Sequence, residues 1–427
     1  MNSGLDHIPT DWKAKAMRQR LKRRYHAERR FRLLGLAAVV LSAGFLAFLL
    51  LSMAASGARG FMRTDIALPV DFPAMGIDAS AAKGPDAERL LAAAGLEDGV
   101  KHAAETAFGP GGESYLSESA WLTVRDAAVR DPGLLGRKAV VHVPASTEID
   151  LASRGLGTPQ FTTIADRLKA QGALSTGFDS GFLTGLDSSD PVDAGIWSAL
   201  KGSLFTMLVT FLIAFPVGLL SAIYLEEYAP RNHWTDLIEV SINNLAAVPS
   251  IIFGLLGLAV FLGTWELAGH SFGPILPRSA ALVGGVTLAL MIMPVIVIAS
   301  RNAIKAVPPS IRDAAFAVGA SRVQVVFHHV LPLAMPGILT GTIIGMARAL
   351  GETAPLLLIG MRAFIVTPPH GFTDPATVLP VQIFLWSDEV SRGFVEKTSA
   401  AIIVLLVFLL AMNGLAIYLR NRFETRW

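Results

Sequence analysis

The sequence predicts an all-α polytopic membrane protein with six transmembrane helices and a small α+β domain inserted after the first of them. Three observations point that way. Apolar residues make up 52% of the 427-residue chain and charged residues only 16%, with a mean hydropathy of +0.51. Weakly charged runs recur that are long enough, at ~1.5 Å per residue, to cross a hydrocarbon core of ~30 Å. Residues 59–196, by contrast, hold nineteen acids, twelve Lys or Arg and no such run, which is the composition of a water-exposed domain.

The same composition removes whole classes of function. Without cysteine there is no disulfide, thiolate metal site or cysteine nucleophile. The nine histidines show no metal-ligand spacing, and the adjacent His328 and His329 would point to different faces of a helix, so no metal site is expected. A net charge of +2 gives no reason to expect a nucleic-acid partner. No GxxxxGK[ST] phosphate loop occurs, so the chain is expected to carry no ATPase site and to bind no cofactor of its own.

Taken in order, residues 1–32 form a basic segment. Ten Lys or Arg (Lys13, Lys15, Arg18, Arg20, Lys22, Arg23, Arg24, Arg29, Arg30 and Arg32) face two acids, Asp11 and Glu28. The uncharged run 33–53 follows and reads as the first span. MAASGA at 53–58 resembles a signal-peptide cleavage site, but the run exceeds the ~7–15 residues of a signal core, so a retained span is expected. Residues 54–196 make the inserted domain, with helix patterns at 86–95, 117–130 and 161–172, a strand at 138–144, and a plain turn at GPGG, 109–112. Residues 197–427 supply five more spans, at 200–225, 237–263, 280–300, 332–360 and 399–419. The second of these contains Asn243, Asn244 and Pro249, which predict a broken or bundle-facing helix.

The charges beside short loops orient the chain. With the N-terminus inside, an even number of spans returns the C-terminus inside, where Arg420, Arg422 and Arg426 lie. The segment 301–331 is then cytoplasmic, with Arg301, Lys305, Arg312 and Arg322 against Asp313 alone, and the loop 361–397 and the inserted domain are outside. One loop disagrees: 226–236 has Arg231 against three acids, Glu226, Glu227 and Asp236.

Two features carry the functional argument. Pro308 and Pro309 stop the preceding span; Ser310 is placed to cap a short helix from Ile311 to Val318, and Asp313 in its first turn suits the helix dipole. Gly319 fits a left-handed terminator, and Ser321 with Gln324 makes a capping box that starts a second short helix ending or kinking at Pro332. Such a knob is either a docking site or an ordinary hairpin between spans. The second feature is Arg348 with Glu352, at i and i+4 and so on one helix face. Counted from Leu333, Arg348 lies ~22 Å along the axis, beyond mid-membrane. Gly351 and Pro355 can interrupt the helix near Glu352 and Thr353 and free backbone N–H groups. The pair is either self-neutralising or an anion site, since a guanidinium fork matches phosphate oxygens and buried charges normally face a cavity or a partner.

DAAFAVG (313–319), followed ten residues later by VLP, resembles the EAA loop of bacterial ABC-importer permeases. NNLAAVPSIIFGLLGLAVF (243–261), VTLALMIMPVIV (286–297), ARALGETAPLLL (347–358) and LPVQIFLWSD (379–388) are similar to PstA-type permease subunits of phosphate importers, in the binding-protein-dependent transport permease family. The resemblance covers about 197–427. Asp313 stands where that loop usually has glutamate, and His329 where it is usually apolar. The resemblance implies a six-span inner-membrane permease that passes phosphate inward, with both termini cytoplasmic. Its implied partners are a PstC-like permease, two copies of a PstB-like ATPase that uses the ATP, a PstS-like periplasmic phosphate-binding protein, and membrane lipid. It further implies that Asp313, Ala314, Ala315, Gly319 and Ser321 couple to the ATPase and that Arg348, Glu352 and Thr353 line the substrate pathway. Sulfate or molybdate is the alternative substrate. A membrane sensor reading ligand on the inserted domain is the alternative class.

Overall fold

A computed structural model describes residues 15–267, 270–361, 365 and 367–423. Asp11, Lys13, Arg362 and Arg426 fall outside these. The chain divides into two units, Met1–Ala55 and Ser56–Trp427. Helix α1 (Lys15–Gly60) occupies the described part of the first unit and continues into the second. The basic residues from Lys15 to Arg32 therefore share one helix with the apolar run. Leu41, Phe45 and Phe48 on that run are exposed, as side chains in contact with lipid tails are.

Strand β1 (Met62–Asp71) follows at once. Its alternation buries Thr64, Ile66, Leu68 and Val70 on one face, and the helices α2 (Ala87–Ala93), α3 (Leu96–Phe108) and α4 (Ala120–Arg130) bring Leu91, Leu96, Val100 and Val124 into the same core. Strand β2 (Lys138–Pro144), helices α5 (Thr147–Ser153) and α6 (Pro159–Ala170), strand β3 (Leu174–Phe178) and helix α7 (Ser180–Thr184) complete the segment. The sheet order is β2-β1-β3, antiparallel throughout. A proline in a central strand is unexpected. Pro69 is tolerated because β3 pairs only with Met62–Ile66, which leaves Pro69 paired to Val140 of β2 alone, locally at an edge.

Asp193, near the end of this segment, accepts a hydrogen bond from Ser117 Oγ at 2.9 Å, yet burial outweighs it and raises the carboxyl above the usual carboxylate range. A raised native value means that the folded state holds the proton more tightly than the unfolded chain. The stability this contributes is full below the ordinary Asp value of ~3.9 and is lost as pH rises through the native one. Asp193→Asn is expected to flatten that fall in unfolding midpoint as pH rises above the ordinary Asp value of ~3.9; an unchanged profile contradicts the assignment.

The remainder is helical. α8 (Trp197–Ile223) runs into a π-helical turn, Tyr224–Tyr228; α9 (His233–Ala246) and α10 (Ser250–Phe261) follow, then a hairpin of β4 (Trp265–Leu267) and β5 (His270–Phe272), then α11 (Ala281–Lys305). Next come α12 (Pro309–Ala317), α13 (Arg322–Leu350), α14 (Ala354–Leu358), α15 (Leu379–Ser387) and α16 (Gly393–Phe423). Among the described residues, five helices are long and apolar enough to cross a membrane; there are six if α9 and α10, bent by 104° around Pro249, count as one broken span. The span α11 is the most buried of these, packed on α8 through glycines. A Cβ at Gly285 would lie 2.5 Å from Val209 Cβ, and one at Gly218 would lie 2.9 Å from Ile296 Cγ2, so small residues set this close approach.

Several expectations need correction. The helix begun at Ser321 is not a separate short one: it passes through a π-helical turn, Val325–Val330, and through Pro332 and Pro336 to Leu350. The span expected at 332–360 stops at Leu350, and α14 follows a break at 351–353. Ser310 caps nothing, since Pro308 occupies the N-cap of α12. The region 361–397 contains α15 and the start of α16, and 264–279 contains a hairpin.

The inserted segment meets α16 through buried charge. Lys397 Nζ donates to Asp179 Oδ2 at 2.6 Å, and Arg154 joins Asp150 Oδ1 and Glu396 Oε2, both at 2.7 Å.

Candidate functional site

Arg348 occupies the last turn of α13, and Glu352 the break after it. Arg348 Nε and Glu352 Oε1 are 3.5 Å apart, the outer limit of a hydrogen bond, with the side chains 48% and 19% exposed. Among the described residues, the guanidinium has no other hydrogen-bond partner, so most of its donors are unused. Inside the chain, the space next to Ala349 and Leu350 is a cavity of about 10 Å³, room for one water and too small for an oxyanion. The Arg348 side chain itself stays half-exposed near the end of a membrane-length helix. The break does not free every backbone donor expected of it: Gly351 N–H donates to Arg348 O at 3.1 Å and Glu352 N–H to Ala349 O at 3.2 Å. Thr353 stands at the N-cap of α14 without a side-chain cap bond.

The other end of α13 joins the polar segment. In α12, Asp313 and Ala314 are exposed and Ala315 is buried. Gly319 has φ +86°, a backbone form that only glycine adopts without strain, and it ends the helix as expected. The capping box is present: Ser321 Oγ accepts from Gln324 N–H at 3.4 Å, and Gln324 Oε1 accepts from Ser321 N–H at 2.8 Å. The segment also exposes Phe316, Val318, Val323 and Phe327, between 45% and 84% exposed.

Two of the three acids of the 226–236 loop that opposed the charge count, Glu226 and Glu227, pair with bases of this segment. Glu226 Oε1 lies 2.5 Å from Arg301 Nε and 3.4 Å from Lys305 Nζ, and Glu227 Oε1 lies 2.8 Å from Arg312 Nη2. Only the fold shows that they share one end of the bundle with these bases. Among the described residues, no group of His, Asp and Glu is placed to hold a metal ion.

With this geometry, comparison with known proteins becomes informative. Residues 214–425 match the family described as binding-protein-dependent transport system inner membrane component, and residues 18–162 match a domain of unknown function, DUF3333. The phosphate transport system permease protein PstA of Yersinia pestis is 31% identical over 224 residues, 52% of this chain and 71% of that protein. The probable ABC transporter permease protein YqgI of Bacillus subtilis is 34% identical over 194 residues, 45% of this chain; the chain spans only 61% of that relative's length. A chain of the MetNI methionine ABC transporter is 18% identical, with a TM-score of 0.41 over 54% of this chain and 98% of that one. The chain belongs to the binding-protein-dependent transport family of inner-membrane components, the permeases of ABC transporters. Within that family its sequence is of the PstA type.

Proposed function

We propose that this chain is a membrane permease subunit of an ATP-driven phosphate importer. It takes inorganic phosphate from a periplasmic binding protein and passes it to the cytoplasm beside a PstC-type permease, with two PstB-type ATPases below and a PstS-type protein above. The observation that carries this reading is the loosely held guanidinium of Arg348. It projects from one end of a span whose opposite end begins in the exposed 310–331 segment. A cation inside a bilayer costs ~2.5–3.5 kcal/mol on insertion scales, so it is retained only where a cavity or partner meets it. A passage between this chain and a second permease provides such a place. There the guanidinium fork receives two phosphate oxygens, and Glu352 orients it or accepts a proton-bearing oxygen of the anion. Asp313, Ala314, Ala315, Gly319 and Ser321 form the ATPase docking surface together with Phe316 and Val318.

The Lys and Arg of the 301–331 segment, with Arg420 and Arg422 at the end of the last span, support the orientation by the positive-inside rule. Both termini are then cytoplasmic, and residues 54–196 form an extracytoplasmic domain. Purification in mild detergent is expected to bring down an ATP-hydrolysing protein, and cells lacking this chain are expected to lose labelled-phosphate uptake. A chain that purifies without an ATPase and is dispensable for uptake contradicts the reading.

A further inference from the structure

Arg312 stands immediately before Asp313 at the start of α12, and its guanidinium reaches two other helices. Its Nε and Nη2 donate to Glu227 Oε1 at 3.2 and 2.8 Å. Nη1 donates to Val307 O at 2.7 Å, and Nη2 also donates to Ile304 O at 3.0 Å. Ile304 lies in the last turn of α11 and Val307 two residues past its end, so the guanidinium adds side-chain donors to the carbonyls at this helix terminus. Glu227 lies in the π-helical turn that ends α8. One side chain therefore caps α11 and grips the end of α8 from the helix that begins the exposed segment. The Arg312 and Glu227 side chains are only 21% and 12% exposed, so water competes weakly for these charged bonds.

The backbone around α12 is poorly suited to the same task. Pro308 separates it from α11, and Gly319, at φ +86°, separates it from α13. With a non-helical joint on each side, this nine-residue helix is tied to its neighbours through its side chains rather than through continuous helical backbone. The inner face of α12 meets a second π-helical turn: Ala315 and Ile311 pack with Val325, Val326 and Val330. Turns of this kind carry one residue more than the α-helical register and recur at functional positions.

We propose that Arg312 and Glu227 form the strut through which movement of α12 reaches α8 and α11. This rests on the reading that an ATPase docks on α12. Both are positioning residues, acting on the passage through the helices they join. The test uses the complex of this permease, the second permease, the ATPase and the phosphate-binding protein, reconstituted in proteoliposomes. Phosphate imported per ATP hydrolysed is measured together with ATPase co-purification and the unfolding midpoint. Glu227→Gln keeps the size of the side chain and leaves the caps on Ile304 and Val307 in place. It is expected to lower phosphate per ATP roughly 5-fold or more, the usual range of a coupling interaction, with assembly and midpoint unchanged. Glu227→Asp, which keeps the charge, is expected to recover part of the ratio, and Arg312→Lys, which keeps charge but not the fork, to lower it. An unchanged ratio in both Glu227→Gln and Arg312→Lys overturns the proposal, as does a loss of import that only follows loss of assembly. A wild-type chain that recruits no ATPase overturns the docking reading itself, a separate failure visible before any variant is made.

Discussion

Arg348→Ala is expected to abolish phosphate uptake while the complex still assembles and still holds its ATPase. The two functions separate because Arg348 and the docking segment occupy opposite ends of α13, about 26 Å apart along the axis when measured from Leu331. A charged hydrogen bond contributes ~1.5–3 kcal/mol, so losing a two-pronged grip on phosphate is expected to lower transport by at least ~100-fold. Arg348→Lys keeps the charge but offers no fork, and it should fall between the two. Little fold stability is at stake, since the side chain is 48% exposed and its one internal partner is 3.5 Å away. Uptake at the wild-type rate in Arg348→Ala, with the complex intact, would remove the arginine from the substrate pathway.

The largest effect on stability is expected from Lys397→Ala. Lys397 and Asp179 are 7% and 1% exposed, 2.6 Å apart, and the ammonium lies 4.9 Å from the Phe182 ring centre. Deleting the lysine leaves a buried carboxylate held by the Phe182 N–H at 3.2 Å and by the more distant Arg63, 3.7 Å from Asp179 Oδ1. Breaking a buried pair from one side typically costs ~3–5 kcal/mol, because the remaining charge stays desolvated. A lower unfolding midpoint in detergent is the expected outcome. Replacing both partners by apolar residues of similar size, Asp179→Leu with Lys397→Met, is expected to recover most of the loss, since no orphan charge then remains. If the single and double variants melt together at the wild-type midpoint, the pair contributes nothing and the seam is held by packing alone.

How much of this was legible in the sequence depended on how local each signal was. The spans were readable from hydropathy, and the break in the second core span from Pro249, because each is a property of consecutive residues. Strand β2 and the capping box at Ser321 were readable for the same reason. Strand β1 was not read from the sequence; Pro69 interrupts its strand pattern, and its one-sided pairing explains how it sits there. The nine residues of α15 are too few to span, so hydropathy placed them in a loop. Pro332 was read as ending or kinking the helix begun at Ser321; the helix does not end there, and Pro332 falls in the first turn of the regular helix that follows the π-helical turn, where the missing N–H costs little.

The candidate site divides along the same line. Arg348 and Glu352 are four residues apart, so their proximity followed from spacing, although the helix ends at Leu350 and Glu352 reaches Arg348 from the break rather than from a shared helix face. The weakness of their contact was not legible from spacing. Glu227 and Arg312 are separated by 85 residues, and Asp179 and Lys397 by 218. No local pattern announces such pairs. In the charge count Glu226 and Glu227 stood as contrary acids, whereas in the fold they are the partners of the bases they seemed to oppose.

ATP-driven uptake of labelled phosphate into proteoliposomes bearing the assembled complex, in the presence of excess unlabelled sulfate or molybdate, bears most directly on the whole account. The account predicts uptake that requires ATP, is displaced by unlabelled phosphate and is indifferent to the other two anions. Uptake displaced equally by sulfate or molybdate, or proceeding without ATP, would contradict it.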